Sequence, residues 1–246
     1  MYMKNIAVWF SCGAASAVAA KKTIDIYGKE HKIVIVNNPV LEEHPDNLRF
    51  LSDVQEWLQH PITFAKNPNF PKASIVEVFD KRKYMSGIHG APCTVELKKE
   101  ARYHFEKHNN IDFHVLGFTL DEWNRQLNFN KFERVNTLPV LISTLTTKSE
   151  CFSILKKAGI KLPEAYALGL PNANCLGCVK ATSPDYWNLI RKIASDSFEA
   201  RAEQSRRIGA KLVRVRGKRI FLDELKITDK GAGIKSHECG IFCNTK

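Results

Sequence analysis

The stretch KNIAVWFSCGAASAVAAKKTIDIYG, residues 4–28, decides the fold. KNIAVWF is a short apolar run with β-branched and aromatic members, which reads as a buried strand. SCGAAS supplies a turn of small side chains, and the helix formers that follow run to Gly28, where a helix naturally stops. One early lysine and a polar break in the apolar stretch lead us to expect a strand feeding a helix, neither a secretory leader nor a membrane span.

The same alternation continues outward. HKIVIVNN (31–38) is a second buried strand, and EEHPDNLRFLSDVQEWLQH (42–60) a helix with Leu48, Leu51, Val54 and Leu58 expected on one face. PITFAKN (61–67) is a third strand, a short helix falls near 74–84, GIHGAP (87–92) is a loop, and a helix runs from Thr94 to about His108. IDFHVLGFT (111–119) completes four strands. Strands alternating with helices imply right-handed crossovers, hence an α/β fold with a doubly wound, mostly parallel sheet and ligands beyond the carboxyl ends of its strands. Past Asn130 the pattern changes to a capped helix near Thr146, one or two basic amphipathic helices over 184–209, a hairpin turning at Gly217 and a mobile tail over the last 17 residues. We therefore expect a nucleotide-binding α/β domain over 1–183 and a C-terminal helical and tail extension over 184–246.

Composition sets outer limits. In 246 residues, 44% hydrophobic and 26% charged content excludes disordered and collagenous chains. No apolar run is long enough for a membrane helix, so no membrane partner is expected. Seven cysteines, an odd number, point to a reducing, cytoplasmic compartment with thiols kept for metal or redox chemistry. A net charge of +11 favours an anionic ligand, either a nucleotide or a nucleic acid. Self-association is left open.

Several constellations carry chemistry. The turn Ser11, Cys12, Gly13, Ala14, Ala15, Ser16 opens a helix, where unpaired amides and the helix dipole both favour an anion. Cys175 and Cys178, separated by Leu-Gly, can point at one metal, and Cys93 at a helix start is biased toward thiolate. Cys151 falls in an apolar helical pattern and reads as core. Glu43, His44, Asp46 and Asn47 follow strand two, suiting either a ribose contact or a helix cap. Lys98, Lys99 and Arg102 read as phosphate ligands or as a solvated face. Arg201, Arg206, Arg207, Lys211, Arg214, Arg216, Lys218 and Arg219 carry much of the excess charge, without interleaved aromatics for base stacking.

The turn resembles the PP-loop of the adenine nucleotide alpha hydrolase superfamily, SGG-x-D-S. Ser11, Gly13 and Ser16 match, whereas Cys12 and Ala15 depart, and the missing aspartate weakens the case for ATP cleavage. GFTLDEWNR (117–125) is similar to the G-x-R-x-x-E-S-x-x-R segment of phosphoadenylylsulfate and adenylylsulfate reductases, keeping Gly117, Glu122 and Arg125 but with Thr119 for the first arginine. Residues 139–178 resemble that branch in order and spacing up to the paired cysteines. CTVELKK (93–99) resembles its cysteine-lysine segment, with Pro92 in place of an adjacent cysteine. Glu238-Cys239-Gly240-Ile241-Phe242 is like its E-C-G-L-H tail, with Phe242 for histidine.

The resemblance spans nearly the whole chain. It implies an adenine nucleotide held by Ser11–Ser16, Gly117, Glu122, Arg125 and Lys98, and a four-iron four-sulfur cluster on Cys93, Cys175, Cys178 and Cys243, with zinc as the other metal these thiolates suit. It further implies that Cys239 attacks the sulfonyl sulfur of an adenine sulfonucleotide to give a cysteine S-sulfonate, from which a thioredoxin-type thiol frees sulfite. The alternative is a nucleotide-dependent sulfur transferase that uses ATP and acts on DNA or RNA. A third reading is a binding module without catalysis, suggested by Ala15, Thr119 and Phe242.

Overall fold

The computed structural model describes residues 2–87 and 90–235. The chain forms two compact units: unit 1 combines Met1–Pro39, Pro45–Lys66 and Arg102–Glu164, and unit 2 combines Val40–His44, Asn67–Ala101 and the residues from Ala165 onward.

Unit 1 is the α/β body. Strands β1 (Asn5–Trp9), β2 (Lys32–Asn37), β3 (Ile62–Phe64) and β4 (Phe113–Val115) form one sheet in the order β3-β2-β1-β4. All three pairings are parallel, with Ile6 beside Ile33 and Phe113. The chain winds outward from β1 through β2 to β3 and then returns to place β4 on the opposite side of β1. This is the expected doubly wound parallel sheet, and its reversal point lies between β1 and β4. Helix α1 (Ala14–Tyr27) follows β1 and buries Ala14, Ser16, Ala17, Val18, Ala19, Ala20 and Thr23. Small residues at most of these positions let the helix axis lie close to its neighbours.

Three sequence expectations need correction. Helix α2 (Asp46–Leu58) buries Asn47, Phe50, Val54 and Leu58, whereas Leu48 is 72% exposed. The buried stripe runs through Asn47, Phe50, Val54 and Leu58, one residue round from Leu48 and Leu51 in its first half. The helix expected from Thr94 to His108 is not uniform: a π-helical turn over Val95–Glu100 separates a short turn at Pro92–Thr94 from the α-helix Ala101–His108. The fourth strand ends at Val115 rather than Thr119, so Gly117 and Thr119 belong to the loop beyond it. The capped helix is Lys148–Lys157, where Thr147 and Glu150 form a reciprocal capping box.

Unit 2 is built on an aromatic core that includes Phe79, Met85, Tyr186, Trp187, Ile190 and Phe198, with Cys175 and Cys178 among the same buried residues. Helix α3 (Ile75–Arg82) is capped by Ser74, whose hydroxyl accepts from the Val76 and Glu77 amides. The basic C-terminal pattern resolves into two helices, Pro184–Ile193 and Ser195–Ile208, which break at Ala194. They are followed by an antiparallel hairpin of β5 (Val213–Val215) and β6 (Lys218–Ile220). Among the described residues, no helix is long and apolar enough to cross a membrane.

Candidate nucleotide turn and thiol centre

The turn in unit 1 starts where β1 ends. Cys12 adopts a left-handed backbone (φ 55°) and is buried. Such a conformation costs a non-glycine residue roughly 1–2 kcal/mol and persists only where the surroundings impose it. They do so here through Asn37 at the end of β2, whose side-chain amide donates to the Phe10 carbonyl at 2.8 Å and reaches the Cys12 Sγ at 3.5 Å. The Ser16 hydroxyl accepts from the Ser11 amide at 3.1 Å and donates to the Gly13 carbonyl at 2.9 Å, folding the turn on itself. Gly13 caps α1 without a side-chain hydrogen bond, and no acidic residue occupies the first turn. An anion at this helix start therefore meets no carboxylate from α1.

The loop after β4 approaches the same turn. A Cβ on Gly117 would lie 2.7 Å from the Ser16 nitrogen, so only glycine permits this approach. Two residues on, Thr119 and Glu122 form a reciprocal capping box, and Glu122 also pairs with Arg125. Arg125 stacks over the Phe118 ring at 4.7 Å. Gly117, Ser11 and Ser16 are thus brought together around the start of α1, while Glu122 and Arg125 hold the loop's shape.

In unit 2, Cys175 and Cys178 are buried and Cys93 is half-buried against the same core. The loop carrying the pair turns at Gly177, whose φ is +73°. Tyr186 fixes this loop: its hydroxyl accepts from the Cys178 amide at 2.7 Å and donates to the Cys175 carbonyl at 3.4 Å. Burial, followed by the neighbouring Cys178, pushes the Tyr186 phenol well above its usual range, so it stays protonated as a donor. Glu42 and Glu43 secure the opposite side. The Glu42 carbonyl accepts from the Leu176 amide, its carboxylate accepts from Ser74 and the Ile75 amide, and Glu43 bridges to Cys175. Lys98 is buried and pairs with Glu43 at 3.2 Å.

Arg201, counted with the basic run in the sequence, is buried in the fold. It is 4% exposed, stacks over Phe79 and bonds Gln204, while its Nε is buried without a hydrogen-bond partner. Burial pulls its pKa down, and the Glu42 carboxylate and the thiols of Cys175, Cys93 and Cys178 oppose that shift. Its position was legible in principle: Phe198, Arg201, Ala202 and Ser205 fall at helical spacing and are buried together. A buried cation is costly unless paired, and the Glu42 carboxylate is the foremost charge that offsets the cost here.

Cys175, Cys178 and Tyr186 also line a small cleft with Asn172, Asn174 and Lys235. Among the described residues, no group of three or more His, Cys, Asp or Glu converges to hold a metal ion. The donor set nevertheless fits a thiolate-bound group, because three cysteines pack against one core in the unit that also buries Arg201 with its Nε lacking an acceptor. Cys243, expected as a fourth ligand, and Cys239, expected as nucleophile, lie outside the described residues. Cys151 is fully buried, and burial pushes its thiol up to about 12, an inert core residue.

No protein-family profile and no curated protein matches the chain. Among solved structures it is similar to the U34-tRNA thiolase NcsA from Methanococcus maripaludis with its 4Fe-4S cluster, with a TM-score of 0.46 and 11% identity over 83% of this chain. That match covers 66% of the thiolase chain, just under two thirds of its length.

Proposed function

We propose that this protein is a nucleotide-dependent sulfur transferase that carries a thiolate-bound iron–sulfur cluster and acts on a nucleic acid. The observation that carries the cluster in this reading is that Cys93, Cys175 and Cys178 pack against one core, in the unit where Arg201 is buried with its Nε lacking a hydrogen-bond partner. Cys93, Cys175 and Cys178 would hold the cluster, with Arg201 balancing their charge and Tyr186 fixing the loop. A cluster at these thiols would supply exchangeable sulfur and redox-active iron. In unit 1, the turn Ser11–Ser16 would hold the phosphates of an adenine nucleotide, which activates an acceptor oxygen for displacement by sulfur.

A second reading is favoured by the tail residues Glu238-Cys239-Gly240 and by Ala15, which replaces the aspartate of ATP-cleaving turns. In it, Cys239 attacks an adenine sulfonucleotide and a thioredoxin-type thiol releases sulfite. Two assays on anaerobically purified protein separate the readings. The transferase reading expects a brown protein that releases pyrophosphate from ATP when RNA is present, and a Cys175→Ser/Cys178→Ser variant that loses its iron. Sulfite release from adenylylsulfate or its 3′-phosphate, abolished in Cys239→Ser and without pyrophosphate release from ATP, would overturn it in favour of the reductase.

A further inference from the structure

The tertiary structure sorts the basic run of the last third into two groups. Arg201 is buried, Arg206 pairs with Asp223 at 2.6 Å and Arg207 pairs with Asp80 at 2.6 Å. These three are spent within the fold. Lys211, Arg214, Arg216, Lys218 and Arg219 are exposed and lie on or beside the β5–β6 hairpin. Among the described residues, none of these five forms an ion pair with a carboxylate.

Two features of the hairpin work against its own stability. Arg214 and Arg219 are register partners, so two like charges stand directly opposite on one face, an arrangement that destabilises a strand pair. The two-residue connection is Arg216-Gly217, and both residues have positive φ, 47° and 82°. A turn of this hand prefers Asn-Gly or Gly-Gly, yet a large cation occupies the strained tip. Strain and repulsion retained together at one exposed element point to a partner that relieves them.

The hairpin is fixed to the body that carries the thiols. Val213 is fully buried in the same core as Cys175 and Cys178, and the Arg214 amide donates to the Thr182 carbonyl at 2.9 Å, four residues beyond Cys178. Its tip exposes no aromatic or large aliphatic side chain to insert into a bilayer, and Phe221 at its base is covered by Arg206 at 3.8 Å. Charge without an apolar wedge suits a phosphate backbone.

We propose that the hairpin, through Lys211, Arg214, Arg216, Lys218 and Arg219, is the docking surface for the phosphate backbone of a folded RNA. The proposal rests on the transferase reading and names its substrate class. RNA is favoured over duplex DNA because chemistry on a base requires it out of the stack, and single-stranded loops of folded RNA present such bases beside a helical backbone.

The test is the salt dependence of binding of a fluorescent RNA stem-loop, measured by anisotropy without ATP, so that binding is read apart from turnover. Each phosphate contact contributes about 0.7–0.9 to the slope of log K against log salt. Arg214→Gln/Arg216→Gln/Lys218→Gln is expected to lower the slope by about 2 and to weaken binding at least ~10-fold. An equal change of charge on unit 1, Lys156→Gln/Lys157→Gln/Lys161→Gln, is expected to leave binding within ~3-fold. Arg216→Asn provides a second check: it should raise the melting temperature by relieving the tip, yet lower the slope by nearly one unit. The proposal is overturned by an unchanged slope in the hairpin variant, by an equal loss in the unit 1 variant, or by tighter binding to duplex DNA or to anionic phospholipid vesicles than to the stem-loop. Sulfite release without pyrophosphate release would instead remove the transferase reading, whatever the binding result.

Discussion

Replacing Gly117 by alanine tests the junction between the loop after β4 and the start of α1. The added Cβ would sit 2.7 Å from the Ser16 nitrogen, 2.9 Å from the Ser16 Cα and 3.0 Å from the Ala15 carbonyl carbon. Non-bonded carbons rest about 3.5–4.0 Å apart, so the loop or the helix start must retreat by roughly 0.5–1 Å. All three neighbours are backbone atoms, and no side-chain rotation can absorb the clash. Overpacking of this kind costs about 1–3 kcal/mol, which in a chain of this size lowers the melting temperature by roughly 2–12 °C. The same shift moves the turn that would receive the nucleotide phosphates, and displacements near 1 Å cost about 10²-fold where geometry matters. Titration calorimetry with ATP and urea unfolding measure the two effects. Gly159→Ala is the control: its φ is +74° and an added Cβ would meet nothing within 4 Å, so it should lower stability without touching nucleotide affinity. A Gly117→Ala protein with native stability and native affinity would refute the reasoning.

Two further outcomes follow from buried groups. His114 is held down to about 4, first by burial and then by Arg134 and Arg102, and its Nδ1 accepts from the Trp9 indole at 3.2 Å. The native state keeps it neutral while the unfolded state takes up a proton below about 6.5, so stability should fall as the pH drops from about 6.5 to 4, by at most ~3 kcal/mol. His114→Gln should flatten that part of the profile, and an unchanged slope would exclude His114 as its source. Tyr186→Phe leaves the buried Cys178 amide without its acceptor, which costs about 1–3 kcal/mol. It should also lower the iron or zinc bound per chain after anaerobic reconstitution, and a variant with native metal content and native unfolding would show that Tyr186 does not fix this loop.

Much of unit 1 was legible because its signals are local. A strand, a small-residue turn and a helix follow one another in residues 4–28, and each is set by neighbours in sequence. The interruption of the helix after Cys93 was not legible, because its cause is long-range: buried Glu96 meets Arg82 and Asn67, and buried Lys98 meets Glu43. These partners lie far apart in the chain and fix a register that the apolar pattern of 94–108 does not contain.

The sequence by itself determined the order of strands and helices, the turn that opens α1, and the cysteine pair at 175 and 178. Hydrophobic periodicity and turn chemistry act over a few residues and can be read there. Only the tertiary structure decided what each charge does. Arg201 and Arg214 look alike in a basic run, yet one is buried over Phe79 and the other stands exposed on a hairpin opposite a second arginine. A cation's role is set by the dielectric and the partners around it, and those come from segments that sequence proximity does not reveal.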